Sequence, residues 1–332
     1  DAKVMILFGG SSARKTGTLD EVKQSLGNRF IVEFDGIEPN PTYETLMKAV
    51  AQVREQKIDF LLAVGGGSVI DGTKFVAAAA VFEGEPWDIL TSWGAKVTQA
   101  MPFGSVLTLP ATGSEMNNAS VVTRKSLQAK LPFRNDLVYP QFSILDPTKT
   151  FTLPERQVAN GVVDAFVHIT EQYLTYPVNA AVQDRFAEGL LQTLIELGPQ
   201  VLVQPEDYDI RANLMWVATM ALNGTIGVGV PHDWATHMIG HELTALYDID
   251  HARTLAIVLP ALLQCTKEAK REKLLQYADR VWHINTGTDD ERIDAAIAKT
   301  KAFFEAMGIP THLSAYDLDA SHVDTVVKQL EL

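Results

Sequence analysis

Short, largely apolar runs alternate with helix-like stretches along the first half of the chain. The runs fall at residues 4–8, 30–34, 60–64, 106–109 and 142–145, each too short for a helix and flanked by Gly, Ser, Pro, Asn or Asp. Between them the apolar positions recur every three or four residues. Leu19, Val22 and Leu26 form one such stripe, Leu46, Val50 and Val53 another behind Asn40-Pro41-Thr42, and residues 69–80 a third. Strands alternating with helices predict βαβ units and a mostly parallel sheet covered on both faces. The texture changes after Asp146-Pro147. From Thr152-Leu153-Pro154 onward helix periodicity dominates, punctuated by Pro177, Gly198-Pro199, Pro231 and Pro260. The pattern predicts an α/β domain over residues 1–150 and an all-helical domain over residues 151–332.

Composition narrows the function classes. The chain has 332 residues, of which 46% are hydrophobic and 21% charged, so it can bury a large core and is not intrinsically disordered. A net charge of −13 repels phosphate backbones and argues against nucleic acid. The single cysteine, Cys265, excludes an intrachain disulfide, fits a reducing compartment, and leaves any metal to His, Asp or Glu. The longest apolar run, near residues 76–82, is too short to span a membrane. No signal peptide is visible, and a cytoplasmic location is expected. The chain opens directly in a strand, so a segment ahead of it is expected to be missing.

Loops at the carboxyl ends of parallel strands are where ligands bind. Gly65-Gly66-Gly67-Ser68 joins a buried strand to a helix, where backbone N–H groups and the helix N-terminus suit a phosphate. The spacing fits a tight strand–helix turn equally well, and it is not the GxGxxG pattern. Asp71 is expected in the first turn of that helix. Behind the first strand, Gly9-Gly10-Ser11-Ser12 has no acid to meet a ribose 2′-hydroxyl, while Arg14 and Lys15 follow it. Those two cations would suit a 2′-phosphate, or they form a solvated basic turn. Lys130 lies near Pro132 and Phe133, within reach of a ribose or phosphate, or solvated.

A histidine pattern marks the second half. Asp164 and His168 are four apart, which places both on one helix face among apolar neighbours. Alone, the pair also fits a hydrogen-bonded couple in a core. His237 and His241 are again four apart, and His251 lies fourteen beyond His237. On one straight helix that separation is about 21 Å, too far for ligands of one ion, so the chain must turn near Asp248-Ile249-Asp250. Asp and His ligands without a thiolate suit Zn(II) or Fe(II). A metal that polarises a carbonyl and a nicotinamide that delivers hydride make chemical sense together.

Together these motifs resemble the iron-containing alcohol dehydrogenase family, nearest its NADPH-dependent aldehyde reductase and butanol dehydrogenase branch. The matching segments are Gly36-Ile37-Glu38-Pro39-Asn40-Pro41, Gly65-Gly66-Gly67-Ser68-Val69-Ile70-Asp71-Gly72-Thr73-Lys74, and Leu109-Pro110-Ala111-Thr112-Gly113-Ser114-Glu115. They continue with Asn160-Gly161-Val162-Val163-Asp164-Ala165-Phe166-Val167-His168 and Asp233-Trp234-Ala235-Thr236-His237-Met238-Ile239-Gly240-His241-Glu242-Leu243. The resemblance implies an α/β dinucleotide-binding domain followed by an all-α, metal-binding domain. It implies reversible, NADP(H)-dependent reduction of aldehydes to primary alcohols with one divalent ion, Fe2+ or Zn2+. Asp164, His168, His237 and His251 are the implied metal ligands, and His241 is placed beside the nicotinamide. The implied cofactor residues are Gly66, Gly67 and Ser68 at the pyrophosphate, Asp71 towards the nicotinamide, and Asn40, Thr108, Thr112, Asn117 and Lys130 along the groove. Gly9, Gly10, Ser11 and Ser12 look like the NADP-preferring form of the first loop.

The same pattern implies a homodimer. It also usually includes a β-hairpin ahead of the first strand and helices beyond Leu332, and both are expected to be absent here. Ser11 stands where a third glycine is common, and Met116, Asn117 and Asn118 differ from the usual small residues. Two other readings compete. A dehydroquinate synthase-like lyase, which recycles NAD on a similar fold, would need a Lys and Arg cluster in the helical domain. From Val158 to Thr254 there are only Arg185, Arg211 and Arg253, and no lysine. The other is a truncated relative that binds nucleotide without catalysis.

Overall fold

The computed structural model describes residues 2–331; Leu332, the last residue of the helical region expected from sequence, lies outside the described residues. The chain forms two compact units, residues Asp1–Thr152 and Leu153–Leu332.

In the first unit the order is β1 (Val4–Phe8), α1 (Ser12–Lys15), α2 (Thr18–Leu26), β2 (Phe30–Phe34), α3 (Tyr43–Gln56), β3 (Phe60–Gly66) and α4 (Gly67–Ala79). It continues with α5 (Asp88–Thr91), β4 (Phe103–Leu109), β5 (Ala119–Arg124), β6 (Ala129–Arg134) and β7 (Ser143–Leu145). Five strands pair in the order β2-β1-β3-β4-β7, every neighbouring pair parallel. Every residue of β1 is buried, as expected for a strand covered on both faces. Because all five run the same way, the loops after β1, β2, β3 and β4 leave from one edge. The order reverses between β1 and β3, the switch point where a doubly wound sheet opens a crevice for ligands. A glycine loop after the third strand is therefore as well placed as one after the first.

The antiparallel hairpin β5–β6 was not anticipated from the sequence pattern. Its residues are mostly half-buried and mixed in polarity, and Pro132 interrupts the second strand. The hairpin matters because it carries Lys130 and packs on α4. Helix α3 begins behind Asn40-Pro41-Thr42, with Thr42 accepting from Thr45 N as its N-cap.

The second unit comprises α6 (Glu155–Tyr173), α7 (Ala181–Val203), α8 (Tyr208–Leu222), α9 (Ala235–Tyr247), α10 (His251–Cys265), α11 (Arg271–Arg280), α12 (Asp289–Ala306) and α13 (Val323–Leu330). Helix α6 is its axis: every residue from Val158 to Tyr173 is buried, polar ones included. Phe166 packs against Phe303 and Phe304 at centroid distances of 5.2 and 5.3 Å. The turn required by the histidine spacing lies between α9 and α10, where Asp248 takes a left-handed conformation (φ 55°). Among the described residues no helix is long and apolar enough to cross a membrane.

Candidate active site

Helix α4 starts at Gly67 with no side chain capping its first turn, so its leading N–H groups are available to a ligand anion. The glycines are required by packing. A Cβ on Gly67 would lie 2.3 Å from Thr112 Oγ1, and one on Gly66 would lie 2.9 Å from Leu109 Cβ. The loops after β3 and β4 therefore press together. Asn40 N donates to Ser68 Oγ at 3.3 Å, and Lys130 Nζ donates to Asn40 Oδ1 at 2.9 Å, so the structure gathers these three residues. Asn117 Nδ2 donates to Thr112 O at 3.4 Å, while its Oδ1 accepts from the fully buried Lys74 at 2.8 Å. Thr108 is half-buried near the end of β4. Gly9 O accepts from Gly36 N at 3.1 Å, and Gly10, Ser11 and Ser12 are exposed around the start of α1.

One expectation is corrected, and one open alternative is narrowed. Asp71 lies beyond the first turn of α4, which begins earlier than the sequence pattern indicated. Its Oδ1 accepts from Ser114 Oγ at 2.6 Å and its Oδ2 from Val121 N at 2.9 Å, so it ties the β4 loop and β5 to the helix. Burial raises its carboxyl above the ordinary value against the pull of the Lys74 ammonium. Arg14 is not simply solvated either: its guanidinium is bonded to Glu33, which also takes the Lys23 ammonium.

In the second unit α6, α9 and α10 converge on one carboxylate oxygen. Asp164 Oδ1 has His168 Nε2 at 3.6 Å, His251 Nε2 at 3.7 Å and His237 Nε2 at 3.8 Å. Ligand atoms of Asp164, His237 and His251 all lie within 4.8 Å of one another. Four ligands about 2.1 Å from one ion in a tetrahedron are about 3.4 Å apart, so the three Asp164–His separations fit to within a few tenths of an ångström, while the group within 4.8 Å comprises Asp164, His237 and His251 and does not include His168. Asp164 Oδ1 and His237 Nε2 are buried and neither makes a hydrogen bond, which a protein tolerates where something else binds them. Burial would push the Asp164 carboxyl up, but the imidazoles of His168, His251 and His237 hold it well below the usual carboxylate range.

Spacing left His237 and His241 open as ligands, and the geometry separates them. His237 faces Asp164, whereas the His241 ring stands beside the cluster, 6.2 Å from His237 and 5.2 Å from His251 by ring centroids. Behind His237 lies Glu171, a buried carboxylate that the sequence analysis missed. It accepts from His237 Nδ1, and its Oε1 accepts from Thr236 N at 2.6 Å. Bonding at Nδ1 leaves the Nε2 lone pair for an ion. Burial works against a charged His237, but the Glu171 and Asp164 carboxylates outweigh it and lift its pKa to about 9. The signal for Glu171 was present: it lies three residues past His168 and seven past Asp164, on the same face of α6. Asp250 steadies the third element, accepting from Arg156 Nε at 2.8 Å and Asn160 Nδ2 at 2.9 Å directly ahead of His251.

A parallel sheet with a phosphate-type loop and a helical unit with a three-histidine, one-carboxylate cluster define a metal-dependent, dinucleotide-using enzyme class. Comparison with known proteins makes this specific. The profile of iron-containing alcohol dehydrogenase matches residues 1–147, and that of the C-terminal part of the Fe-containing alcohol dehydrogenase family matches residues 158–330. The chain belongs to the iron-containing alcohol dehydrogenase family. It is 62% identical over 333 residues to the NADPH-dependent aldehyde reductase YqhD of Escherichia coli, covering 100% of this chain and 86% of that protein. It is 42% identical over 327 residues to a probable NADH-dependent butanol dehydrogenase of Bacillus subtilis, covering 97% and 84%. Among solved structures, that of E. coli YqhD superposes with a TM-score of 0.98 at 61% identity, covering 100% of this chain and 85% of that one. An NADH-dependent butanol dehydrogenase from Thermotoga maritima gives 0.95 at 36% identity, covering 99% and 83%.

Proposed function

We propose that the chain is an NADPH- and metal-dependent aldehyde reductase that interconverts aldehydes and primary alcohols. The observation that carries the reading is the set of three imidazole nitrogens around the buried Asp164 Oδ1. In this reading Asp164, His168, His237 and His251 hold one Fe2+ or Zn2+. When bound, the ion supplies a Lewis acid for the carbonyl oxygen and NADPH supplies the hydride. Glu171 keeps His237 in the tautomer that ligates, and Asp250 with Asn160 and Arg156 fixes the start of α10, which carries His251. His241, buried beside the cluster, is assigned to the path that returns a proton to the product oxygen. Gly66, Gly67 and Ser68 receive the pyrophosphate at the α4 N-terminus. Asn40, Lys130, Thr108, Thr112 and Asn117 line the groove, and Gly9, Gly10, Ser11 and Ser12 face the adenosine end. Asp71 holds the β4 loop in place from α4 and is assigned to the nicotinamide end of the groove.

The lyase alternative gains nothing from the helical unit. Arg185 is bonded to Glu188, Arg211 to Pro205 O, and Arg253 lies 3.5 Å from Asp250, each serving a separate local contact. We extend the reading to a cytoplasmic homodimer. The lone Cys265 suits a reducing compartment. Edge strand β7 leaves Ile144 half exposed beside the similarly exposed Phe142, an apolar edge that a second copy would cover.

The test is NADPH oxidation with butanal on protein stripped of metal and then reloaded with Fe2+ or Zn2+. Turnover that returns with the ion supports the reading. Equal turnover in stripped and reloaded protein would refute it.

A further inference from the structure

Relatives named for NADPH and relatives named for NADH share this fold, so selectivity between the two cofactors must reside in local side chains. The difference between the cofactors is one adenosine 2′-phosphate, about two negative charges, in place of a hydroxyl. In parallel dinucleotide-binding sheets an acid at the end of the second strand meets the ribose hydroxyl, and a nearby Arg accommodates the phosphate. This chain has both together. Asp35 directly follows β2 and is 70% exposed, and its Oδ2 lies 3.8 Å from Arg14 Nη2. The same segment is tied to the glycine loop, since Gly36 N donates to Gly9 O at 3.1 Å and Ile37 N to Phe8 O at 3.3 Å. Arg14 lies over the Phe8 ring at 4.8 Å, and Glu33 is bonded to both Arg14 and Lys23. Two carboxylates therefore compete for the guanidinium that a 2′-phosphate would need.

We infer that Asp35 is a selectivity-determining residue: it draws Arg14 away from the adenosine 2′ position and so moderates the preference for NADPH over NADH. The inference rests on the reading that Gly9–Ser12 face the adenosine end of the cofactor. Glu33 sets the baseline, because it neutralises Arg14 and Lys23 from the strand itself. Asp35 is the adjustable part, being exposed, at the strand end, and held by a longer contact. Removing its charge leaves Glu33 as the remaining carboxylate of the two competing with the phosphate for Arg14 and removes a repulsion, while a 2′-hydroxyl gains nothing from the change.

The test is direct binding, read from nicotinamide fluorescence, of NADPH and NADH separately to the full chain and to the variants Asp35→Asn and Arg14→Ala. Asp35→Asn should raise the NADPH-to-NADH affinity ratio about fivefold. Arg14→Ala should lower it about tenfold, with NADH affinity changed less than about twofold. Raising ionic strength should narrow the ratio in the unmodified protein and in Asp35→Asn, and leave it nearly flat in Arg14→Ala. A ratio unmoved by Asp35→Asn, or an Arg14→Ala protein that loses both cofactors equally, overturns the inference while leaving the cofactor reading intact. If the unmodified protein binds neither cofactor, the cofactor reading falls and the inference with it.

Discussion

Glu171→Gln is a nearly isosteric change that separates a ligand-orienting role from simple packing. In the structure Glu171 serves two sites at once: one oxygen takes Thr236 N at 2.6 Å and the other takes His237 Nδ1. A glutamine has only one acceptor oxygen, so its NH2 must face one of those donors. If it faces the ring, His237 is pushed to the tautomer that carries its proton on Nε2, where an ion has to bind. If it faces the backbone, a buried N–H at the start of α9 loses its partner, at a cost of about 1–3 kcal/mol. Orienting partners of metal-bound histidines are typically worth about 10- to 100-fold in metal affinity, or about 1.4–2.7 kcal/mol. We therefore expect Zn2+ affinity, measured by competition with a chromophoric chelator, to fall by about 10- to 100-fold. A thermal melt in excess chelator reports any separate loss of stability. An unchanged Zn2+ affinity in a folded Glu171→Gln protein would refute the orienting role.

Further outcomes follow from the other unit. A Cβ on Gly10 would meet nothing within 4 Å, so Gly10→Ala should leave the melting temperature unchanged. If the loop faces the cofactor, the same change should weaken NADPH binding by about tenfold, and unchanged binding would place the cofactor elsewhere. Gly67→Ala should instead cost stability, about 1–3 kcal/mol, because its Cβ would lie 2.3 Å from Thr112 Oγ1. Burial pushes the Lys74 ammonium down to about 8, against the opposing pull of Asp71 and Glu115. An unfolded lysine titrates near 10.4, so the unfolded chain holds more protons between those values and stability should rise with pH there. His237, raised to about 9, contributes the opposite slope over the same range in both proteins, so denaturant melts at pH 7.5 and 9.5 should show a more positive change in stability with pH for the unmodified protein than for Lys74→Met.

The sheet strands were legible because each is an apolar run buried between helices, and the order of loops along one edge follows from their common direction. The β5–β6 hairpin was not. Its strands are half-buried and carry a proline, and its turn uses Gln128 in a left-handed conformation (φ 48°) in place of the Asn-Gly or Asp-Gly that marks a hairpin in sequence. At the metal cluster, spacing brought His237, His241 and His251 into view and required the turn now seen at Asp248. It could not choose between His237 and His241, because both lie one helical turn apart on α9; the packing of α9 against Glu171 and Asp164 separates them. Arg14 shows the opposite limit. Beside a glycine loop it reads equally as a phosphate partner or a solvated cation, and the ion pair that rules out simple solvation is with Glu33, nineteen residues away, which no local pattern shows.

The proposed function requires the Asp164 cluster to hold the ion on which aldehyde reduction depends. Bound metal and butanal-dependent NADPH oxidation, measured on the same preparations of the unmodified protein and Asp164→Asn, test it most directly. Turnover is expected to rise in proportion to bound ion, and Asp164→Asn to lose both metal and turnover while still binding NADPH. An Asp164→Asn protein that reduces butanal at the full rate without bound metal would contradict it.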